Sequence, residues 1–249
     1  MRAVLFSLFV LISCLGFSQN TALFEKGNAL YNEGKYAEAI DVYEAILERG
    51  KHSEELYFNL GNANYKMNRI APSIYYFEKA LQLNPNDKEI QNNLNFAQNM
   101  TIDDIEILPD VGFRKVVKDA VNTLNYDQWA YATVGVTVLF VILFLVYFLS
   151  YASTTKRMSF IGSGVAMGVA LICLTFAFLK FNIESKNNPA IVFAVESQVK
   201  TEPNLRSSEA FKLHEGTKVQ LIDTVKNWKK IKLSDGKTGW VPNEDVKAL

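Results

Sequence analysis

Two stretches decide the fold: "LFEKGNALYNEGKYAEAIDVYEAIL" at residues 23–47 and "LYFNLGNANYKMNRIAPSIYYFEKAL" at residues 56–81. Set in register on Gly27 and Gly61, they agree at a constant offset of 34. Leu23 meets Tyr57, Asn28 meets Asn62, Ala29 meets Ala63 and Tyr31 meets Tyr65. Further on, Tyr36 meets Ile70, Ala39 meets Ser73, Ile40 meets Ile74, Tyr43 meets Phe77 and Leu47 meets Leu81. Small residues mark where two helices cross, and large apolar residues surround them at helical spacing. Each stretch therefore predicts a helix–turn–helix unit, and a fixed period of this length predicts stacking.

The unit resembles the tetratricopeptide repeat, down to Pro85 closing the second copy after "LQLNP"; the first copy carries Lys51 there instead. Such units bury their apolar faces only against neighbours, so a terminal unit needs a cap with a polar outer side. "KEIQNNLNFAQNM" fits a cap: Ile90, Leu94 and Ala97 continue the apolar face, while Gln91, Asn92, Asn93, Asn95 and Gln98 are polar. The resemblance implies a concave groove lined by the first helix of each unit. By position in the motif its residues are Phe24, Asn28, Tyr31, Asn32, Phe58, Asn62, Tyr65 and Lys66. Paired asparagines could hydrogen-bond a ligand backbone, but Asn and Tyr also belong to the general repeat pattern and serve stability equally well.

Working outward, the first 18 residues have Arg2, an apolar run from Ala3 to Leu15 and small residues at Gly16 and Ser18, the build of a signal peptide leaving Gln19 as the new N-terminus. The rival, a lipidated Cys14, is disfavoured by the apolar Leu15 and Phe17 that follow it. Residues 128–151 and 159–180 are predicted transmembrane helices. The first is uncharged from Ala130 to Leu149, flanked by Trp129, Tyr131, Tyr147 and Tyr151, and the second stops at Lys180. Residues 152–158 are expected as a cytoplasmic loop: Lys156 and Arg157 have no acid near them, Arg114, Lys115 and Lys118 before the first span weigh the other way, and the signal peptide decides. With an exported N-terminus, that places the chain in a bacterial inner membrane with both soluble parts in the periplasm. In the second span Gly164 and Gly168, beside Gly162, Ala166 and Ala170, form a small-residue ridge expected to pack on the first span near Gly135, with homodimerisation through it as the alternative. Between repeats and spans, residues 101–127 are expected as an acidic linker, "IDDIEILPD", and a basic amphipathic helix with Phe113, Val116, Val117, Ala120, Val121 and Leu124 on one side, lying on the membrane surface or, alternatively, docking on the repeats as a terminal helix.

Residues 190–249 change texture to short β-branched runs separated by turn residues, with a hairpin around Asp235-Gly236. "HEGTKV", Trp228, "KIKL" and Gly239-Trp240-Val241-Pro242 resemble a bacterial SH3-type domain, a small all-β barrel. That resemblance implies an aromatic ligand surface, with Trp228 and Trp240 as candidates, and cell-wall peptides among the ligands. One of the two tryptophans is expected to be structural.

Charge and composition narrow the function. Residues 20–110 hold 15 acidic and 8 basic side chains, residues 111–182 hold 2 and 6, and residues 183–249 hold 9 and 11. No concentrated basic face is present, which argues against nucleic acid. Cys14 and Cys173 stand alone and His52 and His214 lie far apart. Neither a metal site nor a cofactor nor a catalytic constellation is expected. The order of parts resembles the Bacteroides aerotolerance operon protein E family, in the sequence signal peptide, repeats (20–100), two spans and SH3-like tail. That resemblance implies a multi-domain, non-enzymatic scaffold beside von Willebrand A-type membrane proteins and a MoxR-like ATPase, in an aerotolerance or envelope-stress complex. The alternative is a peptidoglycan-binding sensor or anchor.

Overall fold

The computed structural model describes residues 20–106 and 112–249, so the segment read as a signal peptide lies outside the described residues. The chain divides into two compact units. One joins the repeats to the C-terminal sheet and the other holds the long apolar helices.

In the first unit α1 (20–32) and α2 (Tyr36–Glu48) form one repeat, and α3 (Glu54–Lys66) and α4 (Ile70–Leu83) the next. The crossings explain the glycines. A Cβ on Gly27 would sit 2.4 Å from the Tyr43 ring, and one on Gly61 would sit 2.6 Å from the Phe77 ring. The turn inside each repeat is set by a residue in the left-handed region, Gly34 at φ 78° and, 34 residues later, Asn68 at φ 59°. Glycine adopts that region without a steric cost, and asparagine is among the few other residues that tolerate it. Ser53 and Asp87 cap α3 and α5 (Lys88–Gln98) by accepting backbone N–H bonds of their first turns. Ile90, Leu94 and Ala97 of α5 are buried against α4, as a cap requires.

Seven strands follow among the described residues, all pairing antiparallel: β1 (Pro189–Val192), β2 (Glu196–Lys200), β3 (Glu209–His214), β4 (Lys218–Val225), β5 (Trp228–Lys232), β6 (Thr238–Pro242) and β7 (Val246–Ala248). They form one sheet in the order β3-β2-β6-β5-β4-β1-β7. β5 and β6 are the expected hairpin, with Ile231 opposite Gly239 and Gly236 at φ 91° in the turn. Alternate residues supply the sheet's core, including Ala190, Val192, Val199, Leu213, Val219, Ile231, Val241 and Val246.

The two modules share an apolar junction. β1 is buried on both faces: Ala190 and Val192 enter the sheet's core, while Ile191, between them, enters the core of the repeats. Phe193 meets Tyr75 of α4 edge-on at 5.7 Å, and the Lys247 ammonium lies 4.3 Å from the centroid of the same ring. Lys218 of β4 pairs with Glu78 of α4 at 2.7 Å. In a longer array the second helix of a third repeat would cover this side of α4. Here a strand covers it.

Residues 101–106 differ from the expected linker. Ile105 packs against the sheet's core, and the Asp103 carboxylate accepts three hydrogen bonds: from the His214 backbone N–H at 2.7 Å, the Thr217 hydroxyl at 2.6 Å and His214 Nδ1 at 2.7 Å. The segment is a strap. Its acidity reads as solvation in one dimension, but Asp103 is only 13% exposed because its partners arrive from more than 100 residues away.

In the second unit α6 (Phe113–Val121) precedes α7 (Tyr126–Leu149) and α8 (Ser153–Ser185), which pair as a hairpin. Asn125 caps α7 with Gln128 in a reciprocal capping box. The connection between the long helices is three residues, 150–152, shorter than the expected loop, and Lys156 and Arg157 stand exposed on the first turns of α8. Nothing in "STTKRM" breaks a helix, so it propagates to the turn. The contact seam on α8 is Ser159, Ser163, Ala166 and Cys173, with Leu143 of α7 against Gly162. Gly164, Gly168 and Gly135 have open space where a Cβ would be. Of the expected small-residue ridge, Gly162 and Ala166 thus lie in the seam, while Gly164 and Gly168 do not.

Candidate functional site

α1, α3 and α5 line up as successive first helices, and a hydrogen-bonded asparagine ladder joins them. Asn28 Oδ1 accepts from Asn59 Nδ2 at 2.9 Å and from the Tyr43 hydroxyl at 2.8 Å, while Asn62 Oδ1 accepts from Asn93 Nδ2 at 2.9 Å. The Asn28 and Asn62 oxygens thus hold neighbouring helices in register. Burial pushes the Tyr43 hydroxyl up to about 12, so it stays a neutral donor to Asn28.

Four of the eight residues expected in the groove meet in one pocket of about 310 Å³: Tyr31, Asn62, Tyr65 and Lys66. Phe77 floors it, and α5 adds Glu89, Asn93 and Phe96. Phe96 is 59% exposed, a large apolar ring held in view of water. Desolvation, then the neighbouring Tyr36, raises the Tyr31 pKa, so this hydroxyl too stays protonated at neutral pH. The pocket offers aromatic faces, amide and hydroxyl donors, one cation and one carboxylate.

The other four lie elsewhere. Phe24 packs on Tyr43 at 5.9 Å and borders a separate, more apolar pocket of about 470 Å³ with Ile46, His52 and Leu56. Phe58 packs on Phe77 at 6.0 Å, and Asn28 serves the ladder. Asn32 is exposed at the end of α1. Glu89, Asn93 and Phe96 were not among the expected residues, because the segment carrying them reads as a cap. The signal that finds Asn93 is a spacing of 31: Asn28 to Asn59 and Asn62 to Asn93 are the same step of the ladder.

The two candidate tryptophans of the sheet separate cleanly. Trp240 on β6 is 9% exposed, opposite Lys230 of β5, whose ammonium lies 5.7 Å from its ring centroid. Its ring is part of the packing, because Gly239 beside it lets β6 approach β2 so closely that a Cβ there would sit 2.4 Å from Val199. Trp228 is half-buried and lines a surface pocket of about 350 Å³ with Leu205, Asn227, Pro242, Asn243 and Glu244. Leu205, at 81% exposed, gives that pocket an apolar lip. Among the described residues no group of three or more His, Cys, Asp or Glu has metal-ligating geometry.

Comparison with known proteins follows this division. Residues 21–52 and 54–87 match tetratricopeptide-repeat profiles, and residues 196–247 match the bacterial SH3 domain. No curated protein sequence matches the chain. Among solved structures the chain is similar to the crystal structure of YrrB, a TPR protein with an unusual peptide-binding site. The identity is 20%, over 73% of this chain and 87% of that one, with a TM-score of 0.32. The protein is thus a helical tetratricopeptide-repeat region, two long apolar helices and a C-terminal antiparallel sheet of bacterial SH3 type. Modules of these two kinds serve protein–protein or peptidoglycan binding and are typically non-catalytic.

Proposed function

We propose that the protein is a membrane-anchored periplasmic scaffold that gathers partner proteins through its repeat groove. The pocket joining Tyr31, Asn62, Tyr65 and Lys66 to Phe96 carries this reading, because it puts amide, hydroxyl and ammonium groups beside exposed aromatic surface. Anchoring is supported by α7 and α8, which are long and apolar enough to cross a bilayer, with no residue of α7 buried. A soluble core helix of that composition would be covered on most sides. A periplasmic position for both modules is supported by the signal-like N-terminus and by Lys156 and Arg157 beside the hairpin's tip. The order of parts supports a place in an aerotolerance or envelope-stress complex, with von Willebrand A-type proteins and a MoxR-like ATPase as partners.

The test is crosslinked capture from native membranes with the intact chain and a Lys66→Glu/Phe96→Ala variant. Both side chains are exposed and neither holds the asparagine ladder, so the variant keeps the stack. Loss of a defined partner set supports the groove; an unchanged set refutes it. A second reading, peptidoglycan binding, is favoured by the Trp228 pocket and its exposed Leu205 lip. Pelleting with purified sacculi decides it: Trp228→Ala should abolish co-sedimentation, and a wild-type chain left in the supernatant rejects the reading.

A further inference from the structure

The short helix α6 has an apolar face that its own unit covers only in part. Val121 is 1% exposed and Val117 and Ala120 are half-buried, and α6 packs on α8. Phe113 and Val116, three residues apart and so on one side of the helix, are 82% and 64% exposed. Two hydrogen bonds fix the end of α6 to the hairpin. The Trp129 indole N–H donates to the Val121 carbonyl at 3.0 Å, and the Lys180 ammonium donates to Asn122 Oδ1 at 2.9 Å.

Those bonds fall at the level where the apolar stretches of α7 and α8 end. Aromatic side chains cluster there, Tyr126 against Phe181 at 6.0 Å and Trp129 against Phe176 at 5.0 Å. Such rings mark the boundary between hydrocarbon and headgroups when a helix spans. Cations outnumber anions over the same segments, with Arg114, Lys115, Lys118, Lys180 and Lys186 against Asp119, Asp127 and Glu184. Glu184 takes part of the Lys180 charge, at 3.4 Å. Lys115 and Lys118 are exposed.

We infer that α6 is a docking face for the anionic lipid surface at the exported end of the hairpin, with Phe113 and Val116 entering the acyl boundary and Lys115 and Lys118 at the phosphates. This rests on the reading of α7 and α8 as spans. The occupant follows from two facts together: exposed apolar residues continue the apolar surface of the hairpin, and the charge beside them is positive. The bonds from Trp129 and Lys180 hold α6 across the hairpin's end, so its orientation is set by the protein before lipid arrives.

The test uses the full chain with both native cysteines replaced and a spin label at Phe113→Cys, reconstituted in phosphatidylcholine vesicles with and without phosphatidylglycerol. A label at Lys226→Cys serves as the aqueous reference. Expected is oxygen-dominated relaxation at position 113 and nickel-chelate-dominated relaxation at 226. Lys115→Gln and Lys118→Gln should each lower the inserted population about fivefold on the anionic vesicles and leave it unchanged on neutral ones. Alkaline flotation of the same samples reports the hairpin independently. Floating protein whose 113 label behaves as the reference overturns the α6 inference alone. So does a 113 label shielded from both reagents, which puts protein rather than lipid on the face. Protein that fails to float overturns the spanning reading and this inference with it.

Discussion

Replacing Asp103 by alanine separates a fused pair of modules from two modules that merely touch. In the wild type its carboxylate, 13% exposed, accepts bonds from the His214 N–H, the Thr217 hydroxyl and the His214 ring. A hydrogen bond to a charged group contributes about 1.5–3 kcal/mol, so three such bonds set a ceiling near 9 kcal/mol. The three share one acceptor residue, and the His214 side chain is 25% exposed, so water recovers part of the loss and the terms do not add. We expect about 3 kcal/mol, which lowers the melting temperature of a unit of this size by roughly 6–12 °C. The assay is hydrogen exchange by mass spectrometry on the full chain in detergent, with melting followed in parallel. If the junction is cooperative, peptides from α4 and α5 gain exchange together with those from β1 and β3. A shift under about 0.5 kcal/mol, or faster exchange in the strands alone, refutes the reasoning. Asp103→Asn keeps a neutral acceptor and should fall between the two.

The same group gives the junction a pH dependence. Burial by itself raises the Asp103 pKa, but the bonds from Thr217 and the His214 backbone and ring, with the His214 charge, outweigh burial and lower it from the ordinary 3.8. A depressed folded pKa means stability fully present above about pH 4 and lost as pH falls through the folded value. Acid melts of wild type and Asp103→Ala should therefore converge below pH 4; parallel curves would remove Asp103 as the cause. Ile191→Ala should cost about 2–5 kcal/mol, measured by chemical denaturation, and loosen the repeats as well as the sheet, because Ile191 sits in the repeats' core. Gly61→Ala should cost about 1–3 kcal/mol by forcing the Phe77 ring aside, with a comparable loss at Gly27; a neutral melt at either would refute the crossing geometry. Trp240→Ala should cost about 3–5 kcal/mol by the same measurement, whereas Trp228→Ala should change sacculus binding and leave stability nearly unchanged.

The crossings and turns of the repeats were legible in one dimension because a repeat writes its geometry into a period. The 34-residue offset carries Gly27 to Gly61 and Gly34 to Asn68, and each pair does one job in space, a helix crossing or a left-handed turn. The half of the groove built by α5 was harder to see. Gln91, Asn92 and Asn95 read as the outer side of a cap, and the same polar run hides Asn93, whose role depends on a partner 31 residues away. The tryptophans were legible as a pair but not as individuals. Trp228 and Trp240 both lie on short strands, and only their surroundings in space assign one to the packing and the other to a pocket.

Taken by itself, the sequence determined what periodicity and length can encode: two helical units and a cap, two helices apolar all round, and a tail of alternating short strands. Those are local properties, decided by which face of each element must leave water. That the first and last of these parts form one body follows from their packing in space alone. The junction joins Ile191 to the repeats' core and Asp103 to His214 and Thr217, over separations in sequence that no local pattern records. One trace of it was present in "PAIV", a strand without the alternation of a half-exposed sheet. A strand reads that way when both of its faces are covered, and the second cover, α4, comes from the other end of the chain.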